Sequence, residues 1–293
     1  MDAKSPTEHC VAPHEVIAPA TQTLPLVFAS PHSGSDYPPE FIAASRLDLM
    51  NLRRSEYSFV DEIFRTAPHH GAPLLRALFP RAYVDPNREP FELDPGMFED
   101  PLPGYANTAS PRVAAGLGTI ARIVASGADI YQRKLTFEEA LSRIRRCYWP
   151  YHNALRDLVE RTRERFGFCI LVDCHSMPSC GVPPDQGPNL NGAQFVLGDC
   201  HGNSCAPAVI GVVERTLSDL GYAVRRNSPY SGGFVTRHYG RPGEGLHSLQ
   251  IEINRRLYMD EDRMERGPEL PRLERDMGEV IGALGRIDPG DLG

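Results

Sequence analysis

The sequence predicts an α/β fold: a single domain built on a mainly parallel, mixed sheet with helices on both faces. Three observations carry that prediction. Short, almost wholly apolar runs occur at 24–30, 168–174 and 194–197, as strands buried on both faces do. Helical periodicity appears between and around them, at 58–67, 136–166 and 205–220, and alternation of strand with helix points to a parallel sheet. The 293 residues hold no internal repeat and no long low-complexity linker, so residues 23–293 are expected to form one domain behind a loose arm at 1–22.

The arm is rich in Pro and Thr and has no sustained period. The run at 24–30 ends in Pro31-His32-Ser33-Gly34, a strand entering a turn, which sets His32 at the strand's carboxyl end. Phe59, Val60, Ile63 and Phe64 recur at helical spacing, predicting a helix over 58–67 with Glu56 near its start. Residues 74–84 read as strand, turn and strand. In Asp85-Pro86-Asn87-Arg88-Glu89-Pro90 the two prolines forbid helix, and 90–118 is irregular. Thr136-Phe-Glu-Glu139 is a capping box, and Leu141, Ile144, Tyr148, Tyr151, Leu155 and Leu158 extend an apolar stripe, predicting one long helix to Phe166. His175 directly follows the strand at 168–174. After the strand at 194–197 come a helix over 205–220, the segment 222–226, the Gly232-Gly233 turn and a strand over 247–254. In that last strand Gln250, Glu252 and Asn254 alternate with Leu249, Ile251 and Ile253.

Composition excludes several function classes. Hydrophobic residues at 41% and charged residues at 24% are globular proportions, not those of a disordered chain. A net charge of -7, from 38 acidic and 31 basic residues, offers no field for a polyanion, so nucleic acid is not an expected partner. No apolar run approaches the ~18 residues of a membrane helix, and no basic segment leads into an apolar one at the amino terminus. A cytoplasmic protein acting on a small molecule is expected. Seven cysteines, without Cys-x-x-Cys spacing, are read as reduced thiols rather than as disulfides or a thiolate zinc site.

In open α/β sheets ligands collect beyond the carboxyl ends of the strands, which singles out His32, Asp173, His175 and Glu252. Two neutral imidazoles, one carboxylate and a water make a hydrolytic zinc site. His32 and His175 supply the imidazoles, Glu56 is the preferred carboxylate and Asp61 its reserve. One Zn2+ per chain is therefore expected, another divalent metal serving equally. Asp173, two residues before His175, points to the same side and would orient it. Glu252 faces solvent if its strand is an edge. If the strand is central, its carboxylate needs a cation or a metal-bound water beside it. Asn87 and Arg88 pair an amide with a planar guanidinium, a receptor for a substrate carboxylate. Arg81, and Arg237 after the Gly232-Gly233 turn, are further candidates.

Taken together and in order, Pro31-His32-Ser33-Gly34, Ser55-Glu56-Tyr57-Ser58-Phe59-Val60-Asp61-Glu62, Arg81-Ala-Tyr-Val-Asp85-Pro-Asn87-Arg88, Asp173-Cys174-His175-Ser176, Gly232-Gly-Phe-Val-Thr-Arg237-His-Tyr-Gly240 and Gln250-Ile-Glu252 resemble the N-formylglutamate amidohydrolase family. The matching runs extend from about Leu24 to Glu261. The resemblance implies a phosphorylase/hydrolase-like fold related to zinc carboxypeptidases and aspartoacylases. It also implies hydrolysis of N-formyl-L-glutamate to formate and glutamate, a step of histidine degradation. It makes His32 and His175 metal ligands, Glu252 the base, and Asn87 with Arg88 the carboxylate receptor. Where the family pattern implies an aspartate, this chain has Tyr57: either Glu56 is the carboxylate ligand or the metal site is altered. The rival readings are an amidohydrolase for another N-acyl amino acid and a metal-free carboxylate-binding protein on the same scaffold.

Overall fold

The apolar runs form the middle of one seven-stranded sheet in the computed structural model, which describes residues 12–179 and 192–292. The strands are β1 (His14–Ile17), β2 (Leu26–Ser30), β3 (Leu74–Ala77), β4 (Cys169–Met177), β5 (Phe195–Gly198), β6 (Val224–Arg226) and β7 (Leu246–Asn254). Their order across the sheet is β1-β3-β2-β4-β7-β5-β6. The pairings β3/β2, β2/β4, β4/β7 and β5/β6 are parallel, whereas β1/β3 and β7/β5 are antiparallel, as expected of a mainly parallel mixed sheet. From β2 the chain adds β3 on one side and β4 on the other. The crevice at such a reversal, beyond the carboxyl ends of the parallel strands, is where α/β sheets take ligands.

Strand alternation sends side chains to two separate cores. Leu26 and Phe28 of β2, Ile170, Val172 and Cys174 of β4, and Leu249, Ile251 and Ile253 of β7 pack on one face. There they meet the short helices α3 (Val60–Ile63) and α4 (Ala67–His70) and the longer α8 (Pro207–Asp219) and α10 (Leu270–Leu284). Val27, Ala29, Cys169 and Leu171 pack on the other face, against α1 (Pro39–Ala44), α2 (Leu49–Arg53), α6 (Phe137–Arg143), α7 (Trp149–Phe166) and α9 (Phe234–Tyr239). The same parity puts Asp173, His175, Gln250 and Glu252 on the α7 and α9 face, just beyond that core.

Several expectations are corrected. Within the predicted loose arm, residues 14–17 are strand β1, paired with β3; residues 1–11 of the arm lie outside the described residues. The expected helix at 58–67 is broken up: Phe59, left-handed at φ 66°, precedes α3, which begins only at Val60, and the chain turns at 64–66 before α4. Residues 74–84 contain one strand instead of two. The long helix is interrupted by a π-helical turn at Ile144–Tyr148 between α6 and α7. Helix α10 is not among the predicted elements, although Leu270, Leu273, Met277, Val280, Ile281 and Leu284, all buried, repeat at helical spacing.

The capping box forms as predicted: the Thr136 side chain accepts from the Glu139 amide, and the Glu139 carboxylate accepts from the Thr136 amide at 2.7 Å. Removing such a cap costs about 1 kcal/mol. Thr136→Ala is therefore expected to lower the urea midpoint by that equivalent with an unchanged denaturant slope; an unshifted midpoint would show that packing alone holds α6. The described cysteines 147, 169, 174, 200 and 205 are free thiols, and no described helix is long and apolar enough to cross a membrane.

Candidate active site

His32 is two residues beyond β2; His175 lies inside β4, two residues before its end and not beyond the strand as expected, and Glu252 is its register partner on β7. All three are buried, as is Asp173. Their rings and carboxylates meet at the carboxyl ends of three adjacent parallel strands. The His32 and His175 ring centroids stand 5.1 Å apart, near edge-to-face.

Each imidazole is held by a carboxylate. His32 Nε2 is 2.7 Å from Asp85 Oδ1, and His175 Nε2 is 2.7 Å from Asp173 Oδ1. Their protonation tendencies differ. Burial and the charge of Arg81 outweigh Asp85 at His32, holding its pKa well below the ordinary imidazole value. At His175 burial also opposes the charge, but Asp173 and then Glu252 overcome it and raise the pKa. Asn87 Nδ2 stands 3.2 Å from His175 Nε2, while Asn87 Oδ1 accepts from the Val235 amide at 2.7 Å. A side chain at Gly233 would collide with that amide, whose Nδ2 lies 2.3 Å from where a Cβ would sit; only glycine admits this approach.

Glu252 lies on a central strand, so the second of its two expected environments applies. Its Oε1 accepts from Gln250 Nε2 at 2.8 Å; its Oε2 is buried with no partner among the described residues. Gln250 is itself fixed, its Oε1 accepting from the Gly233 amide at 2.7 Å. The Thr236 hydroxyl lies 3.3 Å from Gln250 Oε1 and 3.2 Å from Asp173 Oδ2. Burial raises the Glu252 pKa above the ordinary carboxylate range, against the lowering influence of His175, Arg81 and Arg255. Of these, the guanidinium groups of Arg81 and Arg255 are the cations that its central position calls for.

The arginines divide. Arg81 donates from Nε to Asp85 Oδ2 at 2.9 Å and from Nη1 to the Tyr57 hydroxyl at 2.6 Å. Arg88, buried, donates to the carbonyls of Leu117 and Asn87 and stands 3.6 Å from Asp85, contacts that fix the 85–90 loop. Arg237 lies outside this group: it is exposed, bonds the Gly232 carbonyl and borders a different cleft with Cys200, His201 and Ser231.

Three site residues escaped the sequence reading. Arg255 covers the Tyr57 ring at 5.4 Å and donates to the Glu56 carbonyl. It directly follows β7, so the carboxyl-end rule that flagged His32 covers it too. Asp85 opens the Pro-bounded loop four residues after Arg81, a spacing that carried no signal by itself. Gln250 was placed on the Glu252 face without a role.

Zinc would need three protein donors and a water. His32 offers one, since its Nδ1 is buried without a partner among the described residues while Asp85 orients the ring from Nε2. The carboxylate is not supplied. Glu56 accepts from Arg53 Nε and Ser58 Oγ, Asp61 is paired with Arg76 at 2.6 Å, and both line a neighbouring cavity of about 550 Å³ with Arg53, Arg76 and Arg266. Among the described residues no three His, Cys, Asp or Glu side chains form a ligand set. The expected trio of His32, Glu56 and His175 is thus two imidazoles without their carboxylate, and Asp61 does not replace it.

A buried carboxylate, two imidazoles each beside a carboxylate, and the guanidinium groups of Arg81 and Arg255 gather at the carboxyl edge of the α/β sheet, the place and the perturbed groups that mark an enzyme site in this class of fold. The chain belongs to the N-formylglutamate amidohydrolase family, whose model matches residues 24–259. It is 28% identical to the N-formylglutamate deformylase of Pseudomonas aeruginosa over 250 residues, 84% of this chain and 86% of that one. With the N-formylglutamate deformylase of Pseudomonas putida it shares 28% over 244 residues, 81% and 83% of the two chains. The crystal structure of N-formylglutamate amidohydrolase from Ralstonia eutropha superposes with a TM-score of 0.85 at 40% identity, covering 94% of this chain and 96% of that one. A gene product of Agrobacterium tumefaciens shares the fold at 18% identity and a TM-score of 0.62, covering 95% and 98%.

Proposed function

We propose that this protein hydrolyses N-formyl-L-glutamate to formate and L-glutamate. The observation that carries the reading is the unpartnered Oε2 of Glu252, a buried carboxylate aimed beside His175 in a chain of this family. Gln250 fixes Oε1, so Oε2 is left to take a proton from water as the oxygen attacks the formyl carbon. The same oxygen returns that proton to the amide nitrogen as the C–N bond breaks. Burial strengthens Glu252 as a base, and Asp173 raises the pKa of the neighbouring His175. Arg81 and Arg255 receive the substrate carboxylates, and Arg88 holds the loop from which Asn87 and Asp85 project. For zinc the pocket offers two imidazoles and lacks a third donor, so the chemistry assigned is that of the chain's own groups. The products of that hydrolysis are formate and glutamate, and a place in histidine degradation is part of the same proposal.

Formate release from N-formyl-L-glutamate by the purified protein tests the reading, and no release overturns it. Removing the side-chain charge, as in N-formyl-L-glutamine, deletes a charge-assisted contact worth about 1.5–3 kcal/mol. The ratio kcat/KM is expected to fall roughly 10- to 150-fold. An equal ratio for the two substrates would place the arginines outside substrate recognition, and preference for an N-acetyl over an N-formyl group would move the activity to another N-acyl amino acid.

A further inference from the structure

Tyr57 stands in the segment expected to supply a metal-ligating carboxylate, yet its side chain is built into the site in another way. Its ring is edge-on to both imidazoles, with centroids 4.7 Å from His32 and 5.5 Å from His175 at interplanar angles of 86° and 77°. The guanidinium of Arg255 covers the ring at 5.4 Å, and Arg81 lies 5.1 Å from its centroid. Arg81 Nη1 donates to the phenol oxygen at 2.6 Å, and Arg81 is itself anchored through Nε to Asp85. Tyr57 is half-buried, while the carboxylates of Glu56 and Asp61 are engaged by Arg53, Ser58 and Arg76.

A phenol that accepts one hydrogen bond keeps its own proton to donate. Among the described residues the phenol makes no second hydrogen bond, so that proton stays available, and a guanidinium on the oxygen makes the O–H a stronger donor. We propose that Tyr57 is a catalytic residue whose phenol O–H donates a hydrogen bond to the formyl oxygen as it becomes an oxyanion. This rests on the amide-hydrolysis reading above and specifies how its transition state is stabilised. Water's oxygen bonds to the formyl carbon, the C=O π pair moves onto the formyl oxygen, and Glu252 takes the proton that water loses. Collapse restores the C=O bond, sends the C–N pair to nitrogen and delivers the Glu252 proton there. Tyr57 keeps its proton throughout and gives only the hydrogen bond, in the position where a Lewis acid would otherwise polarise the carbonyl.

Tyr57→Phe tests the assignment, because it leaves the ring packed on the imidazoles and removes only the O–H. Loss of one oxyanion donor costs about 10²–10³-fold in kcat. That fall is expected with KM for N-formyl-L-glutamate, binding of L-glutamate, the unfolding midpoint and bound zinc per chain all little changed. Activity in the wild-type protein with an undiminished kcat in Tyr57→Phe overturns this role alone. An inactive wild-type protein overturns the amide-hydrolysis reading and this role with it. A fall in kcat accompanied by loss of bound zinc, or confined to KM, assigns the phenol to metal or substrate holding and overturns the oxyanion role.

Discussion

Glu252→Gln is expected to lower kcat for N-formyl-L-glutamate by about 10²–10⁴-fold, the usual worth of general acid–base assistance, with KM little changed. The glutamine matches the carboxylate in shape and still accepts from Gln250, but it has no basic oxygen for water. The variant is also expected to be at least as stable as the wild type at neutral pH, and the sign follows from the direction of the shift. Burial raises the folded pKa of Glu252 above the ordinary 4.5. A carboxyl with a raised folded value binds more protons in the folded than in the unfolded state, so stability is lost as pH rises from 4.5 toward that folded value. At neutral pH the carboxyl group is thus a burden on the fold that catalysis retains. Steady-state kinetics and urea unfolding at neutral pH check both parts. Retained kcat would remove Glu252 from proton transfer, and a marked loss of stability would make it a structural anchor.

The histidines and Glu252 were legible in the sequence because each follows from one local rule, a polar residue at the end of an apolar strand. Alternation along β7 further told which side Glu252 takes. What the sequence withheld depends on distant contacts. Glu56 precedes its helix at a position that could turn toward His32, but the left-handed Phe59 and the competing Arg53 and Ser58 turn its carboxylate away. Arg237 follows a glycine turn suited to close approach, yet that approach is made by Asn87 on Gly233 while the Arg237 side chain goes to solvent. Whether β7 was an edge or central could not be read from the strand itself, since the antiparallel addition of β5 is a matter of topology. The π-helical turn at 144–148 leaves the apolar stripe intact on both sides, so periodicity alone ran through it.

Asp85→Ala is expected to produce the largest structural effect in the molecule. One carboxylate, nearly inaccessible to solvent, joins four groups. Oδ1 accepts from the Asn87 amide at 2.8 Å and faces His32 Nε2 at 2.7 Å; Oδ2 accepts from Arg81 at 2.9 Å and lies 3.6 Å from Arg88. Burial by itself would raise the Asp85 pKa, but Arg81, Arg88 and His32 outweigh it and hold the value well below 3.8. Deleting the carboxylate leaves two largely buried guanidinium groups side by side without their counter-charge, a change that costs about 3–5 kcal/mol. That is a large part of the 5–15 kcal/mol typical of a folded domain. Because the folded pKa is depressed, the stability Asp85 contributes is complete above 3.8 and is lost as pH falls from there toward the folded value. The gap between wild type and Asp85→Ala in urea unfolding should therefore be widest at neutral pH and narrow below pH 3.8. Asp85→Asn, which keeps shape and one acceptor, should fall between them in stability. It should also lose kcat through a His32 ring that is no longer held, and Tyr57 would lose the anchor of its arginine at the same time. A difference under about 1 kcal/mol at neutral pH, the worth of an ordinary exposed ion pair, would show that Asp85 is not the hub on which the two arginines and His32 depend.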